Sequence, residues 1–193
     1  MKKAKLFTKI KNIIFYAIVI FLGSYLVFDM IAPDLTVSVF GFKTYVIISP
    51  SMTPEINVND AVLVRKANLD KLNAGDIITF KAYIPELKKY SYVTHYIGDV
   101  ISTDDGMIFK THGYLEEIEE EDFDVWEDKD GNTVNITEDD VLGIVAFKIP
   151  KAGHVIRIFQ DPVMLLLIFV NIGVIAYVVH YYRKTKQTTD KEE

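Results

Sequence analysis

Cysteine is absent from the 193 residues. That absence excludes a disulfide framework, a thiol nucleophile and cysteine-ligated zinc. No H-E-x-x-H, P-loop or G-x-G-x-x-G pattern occurs, and no internal repeat is visible, so the common zinc-hydrolase, nucleoside-triphosphate and dinucleotide signatures are missing. Histidine is scarce, with four copies, and the net charge is −6. Between the two apolar ends, acidic residues outnumber basic ones about two to one, which disfavours a nucleic-acid partner, because phosphate binding relies on Lys and Arg. Nothing in this inventory asks for a cofactor or a metal.

What the chain does have is concentrated apolar length. From Ile13 to Ile31 it is apolar except for Ser24 and Asp29, enough for a helix to cross about 30 Å of hydrocarbon. Lys2, Lys3, Lys5, Lys9 and Lys11 precede this stretch, and basic flanks favour the cytoplasmic side. A second run, Val163 to Tyr182, is followed by Arg183, Lys184 and Lys186, which places the other end on the same side. The expected organisation is a cytoplasmic basic segment (1–12), a transmembrane helix (13–32), an extracytoplasmic domain (33–161), a second transmembrane helix (163–182) and a polar cytoplasmic tail (183–193), disordered after Lys184. The first span is read as an anchor and not a cleaved leader, since its apolar run exceeds the roughly 7–15 residues of a secretory signal.

Between the spans, β-branched and alternating runs read as strands: Val37–Phe40, Thr44–Ile48, Ala61–Arg65, Asp76–Phe80, Tyr92–Ile101, Met107–Lys110 and Val141–Phe147. Asp-Gly at Asp105-Gly106 and at Asp130-Gly131 lies between apolar runs and marks two antiparallel hairpins. No long amphipathic helix interrupts them. The expected fold is a mostly antiparallel β catalytic domain, a curled or barrel-like sheet, flanked by an N-terminal and a C-terminal transmembrane helix. The acidic run Glu116 to Asp124 reads as a solvated loop.

Ser51 follows the first span closely, between Pro50 and Pro54. Proline on both sides stiffens a non-helical presentation of its hydroxyl, and taken alone this segment reads as an ordinary Ser-Pro turn. A serine nucleophile needs a base within reach. His180 lies in the second span and His154 leads into it, leaving His95 and His112.

Taken together, the segments resemble type I signal peptidases. Ser49-Pro50-Ser51-Met52-Thr53-Pro54 looks like that family's S-x-S-M-x-P box, in which the second serine is the nucleophile. Asn59-Asp60-Ala61-Val62-Leu63-Val64 resembles its G-D-hydrophobic strand, with Asn59 in place of glycine, and Ala74-Gly75-Asp76-Ile77-Ile78 resembles the next G-D segment. Tyr92 to Gly98 resembles the box that carries the general base. There His95 stands where most bacterial members have lysine and archaeal, endoplasmic-reticulum and some Gram-positive members have histidine. Asp140 to Gly153 is similar to the closing strand and its I-P-x-x-G exit.

The resemblance implies a membrane-bound serine endopeptidase of the histidine-type branch that removes N-terminal signal peptides. Ser51 would be the nucleophile and His95 the base, with the Ser51 N–H and the Ser49 hydroxyl facing the oxyanion. It implies as partners signal-peptide-bearing precursors, the lipid bilayer and the protein translocation machinery. Histidine-type members orient the imidazole with an aspartate from a T-K-G-D-x-N box; here Thr111-His112-Gly113-Tyr114 lacks the aspartate after glycine. The acid is therefore expected at Asp122, with Asp124 and Glu120 behind it, and His112 is read as structural or substrate-facing. The alternative is a catalytically weak or inert relative that binds precursors and assists surface-protein assembly.

Overall fold

The computed structural model describes residues 2–104, 106–115 and 123–189. The chain divides into two compact units, residues 1–153 and 154–193.

The first unit opens with helix α1 (Lys2–Ile31), whose Lys9–Ile31 stretch is long and apolar enough to cross a membrane. A single turn at Pro33–Leu35 leads into the short helix α2 (Thr36–Phe40). This corrects the expected strand at Val37–Phe40. The alternating valines suit a strand, but tertiary packing selects the helix: Thr36 and Val37 are buried, and Phe40 packs edge-on against Phe21, Tyr25 and Phe28 of α1. Gly41, at φ +83°, closes the turn by donating to the Val37 carbonyl, a conformation glycine adopts without strain.

Strands β1 (Phe42–Val46), β2 (Ala61–Arg65), β3 (Ile77–Ile84), β4 (Lys89–Thr103), β5 (Gly106–His112), β8 (Ile136–Thr137) and β9 (Val141–Ile149) form one antiparallel sheet in the order β1-β2-β9-β3-β4-β5-β8. Strands β6 (Trp126–Glu127) and β7 (Thr133–Val134) pair separately across the second Asp-Gly turn. Both Asp-Gly hairpins form, the first with Thr103 opposite Gly106. The expected antiparallel β domain is therefore present, with β3, β4, β5 and β9 longer than their sequence signals, β1 starting and ending two residues earlier than expected, and β8 unanticipated.

Three register shifts interrupt the ladders, at Leu63/Val64, Thr79/Phe80 and Ile97/Asp99, and such bulges increase local twist and bend a strand. The sheet curls: β1 and β4 are separated by three strands in the sheet order, yet the rings of Tyr45 and Tyr92 meet at 5.1 Å. Strand alternation sends side chains to two buried clusters. One gathers Val37, Tyr45, Ile47, Met52, Ile56, Val62 and Val64; the other gathers Leu72, Ile78, Phe80, Ile97, Phe109 and Ile136.

In the second unit, α3 (Gly153–Gln160) precedes α4 (Pro162–Thr189). The Asp161 carboxylate accepts the backbone N–H groups of Val163 and Met164, satisfying donors that every helix start leaves open. The apolar stretch Pro162–Tyr182 is long enough to cross a membrane. Helix continues through Thr189 rather than stopping at the expected disordered tail, because residues 183–187 are mostly good helix formers that extend an existing ladder.

Candidate active site

Ser51 is exposed on the loop between β1 and β2, held by buried neighbours. Met52 and Ile56 are each 1% exposed and anchor the loop in the first core cluster. The loop is braced by Thr53 N–H to the Pro50 carbonyl and Ile56 N–H to the Met52 carbonyl. The Ser51 carbonyl accepts the Tyr114 N–H at 2.7 Å, so the strand end after β5 sits directly against the nucleophile candidate. Gly113 permits this approach, since a Cβ there would lie 2.5 Å from the Ser51 carbonyl oxygen. The Ser49 and Ser51 hydroxyls are 3.2 Å apart.

His95 sits mid-strand on β4, opposite Ile78. Its side chain is nearly buried, with Phe80 and Trp126 at ring-centroid distances of 6.4 and 6.0 Å. Ser51 and His95 line one cavity of about 570 Å³, together with Met52, Val93 and Trp126.

The carboxylate against His95 is that of Asp124: Oδ2 lies 2.7 Å from Nδ1. The preferred candidate, Asp122, and Glu120 lie outside the described residues. Asp124 is itself fixed twice by Thr111, whose hydroxyl donates to Oδ2 at 2.7 Å and whose carbonyl accepts the Asp124 N–H at 2.7 Å. The Trp126 indole N–H donates to the Thr111 hydroxyl at 3.0 Å. The hydrogen-bonded chain thus runs Trp126, Thr111, Asp124, His95. Neither Thr111 nor Trp126 stood out in the sequence as a site residue, although Thr111 opens the acid box and Trp126 is the sole tryptophan.

Phe123 covers the bulge at Gly98, where an added Cβ would fall 2.2 Å from its ring. That close fit helps set the register that delivers Asp124. His112 is buried, stacked on Tyr96 at 5.5 Å and on Phe123 at 6.4 Å, with its Nδ1–H donating to the Gly113 carbonyl at 2.6 Å. The imidazole is packed as a structural element.

The other motif aspartates act as turn braces. Asp60 is buried and its carboxylate accepts the N–H groups of Asn57 and Lys151, both at 2.9 Å, tying the Ser51 loop to the end of β9. Burial pushes its pKa up, but these two N–H bonds, with the nearby charges of Lys148 and Lys151, offset that and hold it below the usual carboxylate value. Asn59 adopts φ +69°, a left-handed backbone that suits glycine and that asparagine tolerates better than most residues. Gly75, at φ +90°, occupies the same kind of position before Asp76, which accepts the Asn73 N–H at 2.9 Å. Among the described residues no three His, Asp or Glu side chains are grouped to hold a metal ion.

The comparisons with known proteins match these segments. The family model described as "Signal peptidase, peptidase S26" matches residues 12–108, a stretch that contains Ser51 and His95 and stops before Thr111 and Asp124. Signal peptidase I W of Bacillus subtilis (strain 168) is 35% identical over 77 residues, covering 39% of this chain and 38% of that protein. The chain thus matches well under half the length of this curated relative. With the family model covering half of the sequence, the chain belongs to the signal peptidase family, peptidase S26.

Proposed function

We propose that the chain is a membrane-bound serine endopeptidase that cleaves N-terminal signal peptides from secreted precursors, with Ser51 as nucleophile, His95 as general base and Asp124 as the acid that orients it. The observation that carries this reading is the shared cavity of Ser51 and His95, with the Asp124 carboxylate on Nδ1 of the imidazole.

The chemistry follows from that arrangement. Asp124 accepts the His95 Nδ1–H and so fixes the tautomer that leaves Nε2 with a free lone pair. The Ser51 hydroxyl attacks the scissile carbonyl as Nε2 takes its proton, and the imidazolium is stabilised by Asp124. The Ser51 N–H and the Ser49 hydroxyl are the donors for the developing oxyanion. Collapse breaks the C–N bond, and Nε2–H protonates the leaving amine. Water, deprotonated by Nε2, then hydrolyses the acyl-Ser51 ester and restores the serine.

Substrate access fits the same picture. The cavity wall is largely apolar, with Ile47, Met52, Val93 and Trp126, which suits the small residues before a signal-peptide cleavage site. The tether from Ile31 to Ser51 is short and keeps the site near the lipid surface. Both termini are proposed to be cytoplasmic and the β domain extracytoplasmic, from the lysines and arginines flanking the two apolar runs. Phe40 and Phe42 pack on Tyr25 of α1, and Tyr45 is buried.

The inert alternative drew on the missing aspartate after Gly113. Asp124 supplies a carboxylate at hydrogen-bond distance from His95, so that motive weakens. The test is cleavage of a secreted precursor by the wild-type chain, Ser51→Ala and His95→Ala in lipid vesicles. Processing by the wild type alone is expected; equal processing by all three overturns the protease reading.

A further inference from the structure

Asp29 is the sole acidic or basic side chain in the apolar Ile13–Ile31 run, and an acid in a membrane span is costly unless it is paired. Its partner is Lys43 of β1, with Nζ 2.6 Å from Asp29 Oδ1. The Thr36 hydroxyl donates to the same oxygen at 2.7 Å. Lys43 is 4% exposed and also donates to the Pro33 carbonyl at 3.0 Å. Its ammonium lies 5.2 and 5.5 Å from the ring centroids of Tyr45 and Tyr92, within range of cation–π attraction.

Those two rings line the cavity that holds Ser51 and His95. A second link reinforces the first: Asp34 accepts from Lys81 on β3 and from the Tyr92 hydroxyl on β4, both at 2.5 Å. The Phe40 and Phe42 rings close the remaining space against α1. The membrane end of α1, the first strand and the cavity wall therefore form one continuous packed block.

Physically, this block converts a membrane anchor into a height gauge. An extended peptide advances about 3.3 Å per residue, so choosing one peptide bond over its neighbour requires the nucleophile to be held to within that distance of the lipid surface. A flexible connection from Ile31 to Phe42 would let the domain move over several such steps. The Asp29–Lys43 pair, directional and largely buried, removes that freedom. Neither residue contacts Ser51, His95 or Asp124 in any of the hydrogen bonds or ion pairs of the site, so both would act by positioning.

We propose that the Asp29–Lys43 pair determines which peptide bond is cleaved, by fixing the height of the Ser51 cavity above the lipid-embedded end of α1. This rests on the peptidase reading above. The test uses the full chain in lipid vesicles and a precursor whose cleavage region carries alanine at every position, so that several adjacent bonds are chemically acceptable. Mass spectrometry of the released product reads the distribution of new N-termini.

The wild type is expected to give one dominant N-terminus, and Lys43→Met to spread cleavage over neighbouring bonds with total turnover within about tenfold, since the triad is untouched. Asp29→Asn keeps the side-chain volume and is the second variant, decisive if Lys43→Met fails to fold by thermal melting. Folded variants that retain the single wild-type N-terminus overturn the inference. No cleavage by the wild type, or cleavage that survives Ser51→Ala, would instead strike at the peptidase reading.

Discussion

Asp124 Oδ2 stands 2.7 Å from His95 Nδ1, and the same oxygen takes the Thr111 hydroxyl at 2.7 Å. One carboxylate oxygen is thus shared between the His95 imidazole and the Thr111 hydroxyl. Asp124→Asn keeps the shape but disturbs the tautomer, and turnover is expected to fall by about 10⁴ with little change in the melting temperature. Asp122→Asn is expected to cost less than about tenfold. Precursor-cleavage rates of the two variants decide; equal losses would remove Asp124 from its role.

Thr111→Val removes the hydroxyl that positions Asp124 without changing side-chain size much. The loss of one such bond is worth about 1–1.5 kcal/mol, which corresponds to roughly a tenfold fall in kcat. KM is expected to stay unchanged, because Thr111 lies behind Asp124 and not on the cavity wall. A fall in kcat/KM caused by KM alone would show that Thr111 acts on substrate binding.

Gly113→Ala places a Cβ 2.5 Å from the Ser51 carbonyl oxygen, and the obstacle is backbone and not a mobile side chain. The Tyr114 N–H bond to that oxygen must lengthen or break. The expected cost is about 1–3 kcal/mol of stability, together with displacement of Ser51 and loss of most activity. Thermal melting and reaction of Ser51 with an active-site acylating reagent measure the two effects separately; full acylation at the wild-type rate would contradict the displacement.

Asp60 gives a pH signature. Its pKa is lower in the folded chain than in the unfolded one, so the unfolded state binds the proton first as pH falls. The Asp60 contribution is fully present above the unfolded value and is lost on acidification through the folded one. The wild-type melting temperature is expected to drop more steeply than that of Asp60→Asn between about pH 5 and pH 3, and parallel curves would remove Asp60 as the source. At neutral pH, Asp60→Ala is expected to cost about 2–3 kcal/mol, since it leaves the Asn57 and Lys151 N–H groups unmatched.

The local features of the fold were legible because they are written in short-range chemistry. The β1, β2, β3, β4, β5 and β9 runs and both Asp-Gly turns depend on side-chain alternation and on backbone preferences at single residues. Ser51 and His95 were legible as candidates for a similar reason: each sits in a contiguous box. The short helix Thr36–Phe40 was not, because its valines favour strand and only the aromatic residues of α1 make the helix the better packing.

Contact across the sheet was beyond the sequence. It offered three acids in one acidic run, Glu120, Asp122 and Asp124, and favoured Asp122 on an ambiguous register. Asp124 reaches His95 with Phe123 seated over Gly98 and Thr111 paired twice with Asp124, contacts that exist only once β4 and β5 are side by side. In the same way Asp29 read as an isolated charge in an apolar run, and folding supplied Lys43 from a strand beyond the span. Sequence determined which groups could carry the chemistry, since residue identity sets nucleophilicity, charge and hydrogen-bonding capacity. Tertiary structure decided which of them meet, because hydrogen bonds and ion pairs act over a few ångströms and only the packed sheet brings distant residues that close.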